Sequence, residues 1–190
     1  MKNALLLLFL IVLLYACSNT TGPDVSSIDV KLETIRFERD FFSIDTSNIE
    51  NSFQQVYNKN PTFFRDFSQH ILGLPPITDS GEQAMRAIKQ FIGDYRPVFD
   101  SVSQIFPNIT RHEREIIDGL KHVKFYFPQY PLPQKLITFI GPMDAYFEGS
   151  TGGYGDVITS DALGLGLQLH LGSNFSLYTS EMGQALFPLL

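Results

Sequence analysis

The chain has 190 residues, a mass of 21.5 kDa, a formal charge of −6 and a pI of about 5.1. So acidic a chain, without clustered Lys and Arg, is not built to grip nucleic-acid phosphates, and 17 Phe with 8 Tyr are too many rings for a disordered coil. A lone cysteine excludes an internal disulfide framework and any cysteine-rich zinc finger, and the length suits one domain or slightly more.

The first element is a leader. Of residues Met1–Ala16, 14 are apolar and Lys2 carries the only charge. The apolar run Ala4–Leu14 has the length of a secretory h-region and falls well short of the ~20 residues that span a bilayer. It ends in Leu14-Tyr15-Ala16-Cys17. A small residue before the only cysteine resembles a bacterial lipobox, in which the thiol receives a diacylglycerol and Cys17 becomes the new N-terminus. Tyr15 is bulkier than is usual there, and the plainer alternatives are an uncleaved anchor or cleavage after Ala16 with a free thiol left over. Two or more acyl chains hold a protein stably where one does not, at ~0.8 kcal/mol per buried methylene. Without residues 1–16 the hydrophobic content drops to about 40%, ordinary for a globular domain, and the charge becomes −7. Polar residues 17–27 read as a flexible tether. With no acidic residue directly after Cys17, a periplasm-facing position is the default.

Residues 28–190 are expected to form a single domain. Ile28, Val30 and Leu32 alternate and then shift phase to Ile35 and Phe37, which predicts a strand over 28–37 with a bulge near Glu33-Thr34. Ser47 with Glu50 forms a capping box ahead of a helix whose Ile49, Phe53, Val56 and Tyr57 share one face. Asn60-Pro61 starts the next helix, with Phe63, Phe64, Phe67 and Ile71 inward and Gly73 ending it. Ser80 and Gln83 cap a third, striped by Ala84, Met85, Ile88, Phe91 and Ile92 up to Gly93. A short helix around Pro97 spans Tyr95–Phe106. Thr110 and Glu113 cap another, with Ile116, Ile117, Leu120 and Val123 inward.

After Phe127 the prolines at 128, 131 and 133 mark an extended connection. Strands are predicted at Lys135–Ile140 and Asp156–Ser160. Leu163, Leu165, Leu167, Leu169 and Leu171 alternate with Gly164, Gly166, Gln168 and His170, a period of two that predicts a strand rather than a helix. The predicted class is therefore α+β: an N-terminal strand, a helical middle of four to five helices, and C-terminal strands. Ser180–Leu190 ends apolar and uncapped, so the domain is expected to be incomplete at its C-terminus.

No catalytic constellation emerges. His112-Glu113-Arg114-Glu115-Ile116 has Ile where the zinc-peptidase helix needs its second His, and it reads as a charged first turn. His112 and His122 are about 80° out of register on their helix at 100° per residue. The glycine-rich loop Gly149–Asp156 lacks the Gly-Lys-Ser/Thr ending of a phosphate loop and matches no dinucleotide pattern. No Gly-x-Ser-x-Gly elbow occurs. Asp144, Glu148, Asp156 and Asp161 satisfy no spacing rule. The expectation is a non-enzyme without metal or cofactor. The face Gly164/Gly166/Gln168/His170 is the candidate partner-facing strand, because glycines permit close backbone approach.

Several stretches, in this order, are similar to the gliding-motility lipoprotein family of the GldB type: Cys17; Ile35-Arg36-Phe37-Glu38-Arg39-Asp40-Phe41-Phe42; Leu120-Lys121-His122-Val123-Lys124-Phe125-Tyr126-Phe127-Pro128; Ile137-Thr138-Phe139-Ile140-Gly141; and Leu163-Gly164-Leu165-Gly166-Leu167-Gln168-Leu169-His170-Leu171-Gly172. The resemblance covers Cys17 to about Tyr178. It implies an envelope lipoprotein needed for gliding, associated with the type IX secretion apparatus and working through envelope proteins of that machinery. It further implies a scaffold related to metallopeptidases with a degenerate zinc motif beyond Leu190, family members being longer than this chain. Only Cys17 carries over with a defined role, as the lipid-attachment residue. Two other readings stand beside it. One is a membrane-tethered zinc hydrolase with its metal site in the missing C-terminal part; the other is a glycan-binding lipoprotein, disfavoured by the absence of Trp.

Overall fold

The computed structural model describes residues 22–75, 81–143, 155–159 and 161–180. Among these the class is α+β, with seven α-helices and a four-stranded mixed sheet. Strand β1 (Glu33–Arg36) runs directly into α1 (Phe37–Phe42). Then come α2 (Ile49–Lys59), α3 (Pro61–Asp66) with a π-turn continuation over Phe67–Ile71, α4 (Gly81–Asp94), α5 (Arg96–Ile105) and α6 (Thr110–Tyr126). Strands β2 (Lys135–Phe139), β3 (Val157–Ile158) and β4 (Ala162–Gly166) follow, and α7 (Ser176–Thr179) comes last.

The sheet order is β1-β2-β4-β3. Both β1 and β4 pair with β2 in parallel, Ile35 opposite Ile137 and Ile137 opposite Gly164, while β3 runs antiparallel to β4. Parallel neighbours need a long crossover, and α1–α6 supply the one between β1 and β2. Strand β2 is central and lies against chain on both sides, so Leu136, Ile137, Thr138 and Phe139 are all buried, as expected of an interior parallel strand covered on both faces.

Phenylalanines fill the space between the helices and β2. Phe37 packs edge-on against Phe63 and Phe67, each with ring centroids 5.0 Å away, and Phe53 meets Phe64 at 4.8 Å. Phe67 reaches Phe139 of β2 at 6.0 Å. Edge-to-face geometry sets the positive ring edge on a neighbour's negative face, worth ~0.5–1.5 kcal/mol per pair beyond area burial. One charged network crosses this apolar zone. Glu38 is 1% exposed; Arg36 Nε donates to its Oε1 at 2.6 Å and Thr138 Oγ1 to its Oε2 at 2.6 Å. Arg36 Nη2 also donates to Phe106 O at 2.9 Å. Strands β1 and β2, helix α1 and the end of α5 are thereby joined through one buried carboxylate.

The predicted elements are largely present, with several differences. The strand expected over 28–37 is only Glu33–Arg36, because Phe37 and Phe41, four residues apart, turn one face into the aromatic core and demand a helix. The region between β1 and β2 thus holds six helices rather than four to five. The capping boxes at Ser47 and Thr110 do not form: Asn48 and Ile109 stand at the cap positions, and Ser47 Oγ donates to Asp45 Oδ1 at 2.6 Å instead. Ser80 lies outside the described residues.

Helix α3 keeps its Asn60-Pro61 start, but its end widens, Leu72 N–H donating five residues back to Phe67 O at 2.8 Å. Gly73, at φ +64°, then turns the chain as expected. On α6 no residue is buried; Ile116, Ile117, Leu120 and Val123 are only half-covered, so its apolar stripe lies at the edge of the described body. The leucine strand also differs. It stops at Gly166, and Leu167–Leu169 form a 3-10 turn. At the front, Val25 is 7% exposed and Ile28 N–H donates to its carbonyl at 3.0 Å, so the chain is seated on the body before Ile28.

Candidate functional site

A groove of about 810 Å³ opens between α5, α6 and the segment that follows β4. Ile105 and Phe106 close α5, and Ile109 starts the turn into α6. His112, Glu115 and Ile116 face the groove from α6, at the spacing of three and four residues that shares one helix face. Leu165 enters from β4, Leu167 and Leu169 from the 3-10 turn, and Tyr178 from α7. The floor is aliphatic and aromatic; charge is confined to the rim.

The rim has two sides. On α6, Arg111 Nε donates to Glu115 Oε1 at 2.9 Å and holds that carboxyl below its ordinary range, while the Phe106 ring meets His112 edge-on at 5.6 Å. Opposite, His170 Nε2 lies 3.3 Å from Asp156 Oδ1, and this hydrogen bond raises the imidazole pKa against the lowering effect of burial. Asp156 Oδ1 also accepts from Gly166 N–H at 3.1 Å, which ties the rim to the end of β4. Below it, the Tyr178 hydroxyl donates to Gln168 O and accepts from Leu171 N–H, and burial raises its pKa. Among the described residues no group of three or more His, Cys, Asp or Glu side chains could hold a metal.

The candidate strand face does not survive as an open face. Gly164 and Gly166 are buried, and Gln168 is 0% exposed. A Cβ on Gly164 would lie 2.6 Å from Val157 Cγ2, and one on Gly166 would lie 2.4 Å from Gly155 O. These glycines permit the close backbone approach expected of them, but the chain that approaches is this one. Gln168 Oε1 accepts from Gly141 N–H at 3.0 Å, whereas its Nε2 has no partner among the described residues. His170 alone stays half-exposed. It lies beyond the strand's end, so it shares no strand face with the glycines. Leucines of the same run line the groove, and of the polar positions between them only His170 reaches its rim. Tyr178 and Ile105 carry no signal in the sequence that marks them as groove residues, because long-range packing brings them together. Cys17 and most of the loop at 149–156 lie outside the described residues.

The model of one protein family, described as gliding motility protein GldB, matches residues 18–187. The chain belongs to the GldB family. That agrees with the resemblance carried by the motifs between Cys17 and Tyr178, and the family name marks its members as lipoproteins involved in gliding motility. No curated protein and no solved structure matches the chain. The metallopeptidase-related scaffold expected for GldB members therefore has no structural support here, and nothing supports a zinc hydrolase. No helix among the described residues is long and apolar enough to cross a membrane.

Proposed function

We propose that the protein is an envelope component of the gliding machinery, held to a membrane by lipid on Cys17, facing the periplasm and acting by protein contact rather than catalysis. The observation that carries this reading is the family match, which begins at residue 18, directly after the lipobox cysteine. The eleven-residue apolar run Ala4–Leu14, followed by Tyr15-Ala16-Cys17, supports the anchor, since it is too short to span and well placed for acylation. The Ile, Leu and Phe floor of the groove favours contact, because an apolar floor binds side chains by burial. An association with the type IX secretion apparatus belongs to the same proposal.

Cys17→Ala in the chromosomal gene tests it. The variant should leave the membrane fraction and the cells should stop gliding on agar. Retained membrane association together with normal gliding would overturn the anchor and its role.

A further inference from the structure

Residues 125–134, Phe-Tyr-Phe-Pro-Gln-Tyr-Pro-Leu-Pro-Gln, form the last turn of α6 and the segment after it, and none is charged. Phe125 is 47% exposed, Tyr126 60%, Phe127 64% and Tyr130 47%, so four of the seven large apolar side chains exposed among the described residues lie within six positions. Single exposed apolar side chains are ordinary on a soluble protein; a contiguous group of aromatic rings marks a contact surface. Lys121 and Lys124 precede the group on α6, and Lys124 Nζ donates to Pro128 O at 2.6 Å, which holds its ammonium beside the rings.

Gly22 lies over α6: a Cβ on it would be 3.8 Å from His122 Nε2. The His122 ring is oriented by its Nδ1 contact to Asp118 O at 2.9 Å. His122 precedes Phe125 and Tyr126 by three and four residues, so all three share one side of the helix. The N-terminal segment thus meets the body on the side that presents the first two rings. Gly22 lies five positions after Cys17, a reach of at most ~18 Å even when fully extended.

We propose that the 125–130 surface rests on the same bilayer that takes the Cys17 lipid, with Tyr126, Phe127 and Tyr130 in the headgroup layer and Lys121 and Lys124 toward lipid phosphates. The proposal builds on lipidation of Cys17. Amphipathic rings are favoured at the membrane interface, where one end is apolar and the other wet. The lysine stems lie along such a surface with their ammonium groups at anionic headgroups. The short leash keeps this surface at the membrane, so that the contact sets the orientation of the body.

The chain contains no Trp, so Phe127→Trp, at an exposed position, gives a single reporter. The mature lipidated variant is reconstituted on phosphatidylcholine vesicles containing one part in three of phosphatidylglycerol. Pelleting reads the anchor and tryptophan emission reads the docking. The expected result is co-pelleting, blue-shifted emission, and loss of about half the intensity with lipids brominated near the headgroup end, since interfacial side chains sit ~5–10 Å deep. Co-pelleting with emission unaffected by brominated lipid overturns the docking and leaves the anchor standing, whether the ring is wet or covered by a second protein copy. Protein left in the supernatant overturns both.

Discussion

Replacing Arg36 by methionine removes the countercharge of a carboxylate that has almost no water. Glu38 is 1% exposed, and the lost contacts are Arg36 Nε to Glu38 Oε1 at 2.6 Å and Arg36 Nη2 to Phe106 O at 2.9 Å. Thr138 Oγ1 remains as a donor to Oε2, but one neutral hydroxyl does not offset a buried negative charge. Removing one partner of such a pair costs about 3–5 kcal/mol, a large share of the ~5–15 kcal/mol that holds a typical domain together. Glu38→Gln keeps the shape and the Thr138 contact, and leaves Arg36 bonded to Phe106 O, so its cost is nearer ~1–3 kcal/mol.

The double variant Arg36→Met/Glu38→Gln has neither charge buried and should be more stable than Arg36→Met alone, with a coupling of ~1–3 kcal/mol in the double-mutant cycle. Urea unfolding followed by far-ultraviolet circular dichroism measures all four proteins. The coupling should persist in high salt, because buried pairs are weakly screened. A loss below ~1 kcal/mol in Arg36→Met, the value of an exposed ion pair, would refute the reasoning, as would a double variant that is simply the sum of the singles.

Three further outcomes follow from packing and charge. Gly166→Ala places its methyl 2.4 Å from Gly155 O, a backbone atom without freedom to yield, and should lower the urea midpoint by the equivalent of ~1–3 kcal/mol. Gly119→Ala, with open space around the new methyl on α6, should raise it by the ~0.5–1 kcal/mol that alanine gains over glycine inside a helix. The His170–Asp156 contact gives a pH dependence. Because folding raises the imidazole pKa, its stabilisation is complete below the unfolded value of ~6.5 and fades as pH climbs through the higher folded value. Urea midpoints of the wild type and His170→Gln should therefore differ at pH 5.5 and converge by pH 8.5, the gap staying under ~1 kcal/mol for so exposed a pair. A gap that widens with pH would reverse the assignment.

Much of the secondary structure is legible residue by residue. Helices α2–α6 show in the three-and-four spacing of Phe53, Val56 and Tyr57 or of Ile88, Phe91 and Ile92, and the chain turns at Gly73 where a positive φ demands glycine. The run Lys135–Phe139 reads as a buried strand because apolar residues fall on both its faces, Leu136 on one and Ile137 and Phe139 on the other. The lipobox reading rests wholly on local order, a short apolar leader before a single cysteine. The candidate site was not legible in the same way. The groove takes Ile105 from one helix, Ile116 from the next and Tyr178 from the end of the described chain.

The sequence by itself determined the α+β class, most of the helices and the family, since apolar periodicity and turn residues act over a few positions and motif order is a property of the sequence alone. Only the tertiary structure decided that Phe37 begins a helix and that Gly164 and Gly166 serve the chain's own packing. It also decided that Glu38 is held by Thr138, a hundred residues away. The physical reason is that a backbone preference acts between neighbours, whereas burial depends on every segment that arrives at the same place. An alternation of Leu with Gly states that two faces differ, but which face meets the groove and which meets Gly155 is settled when the surrounding chain closes on them.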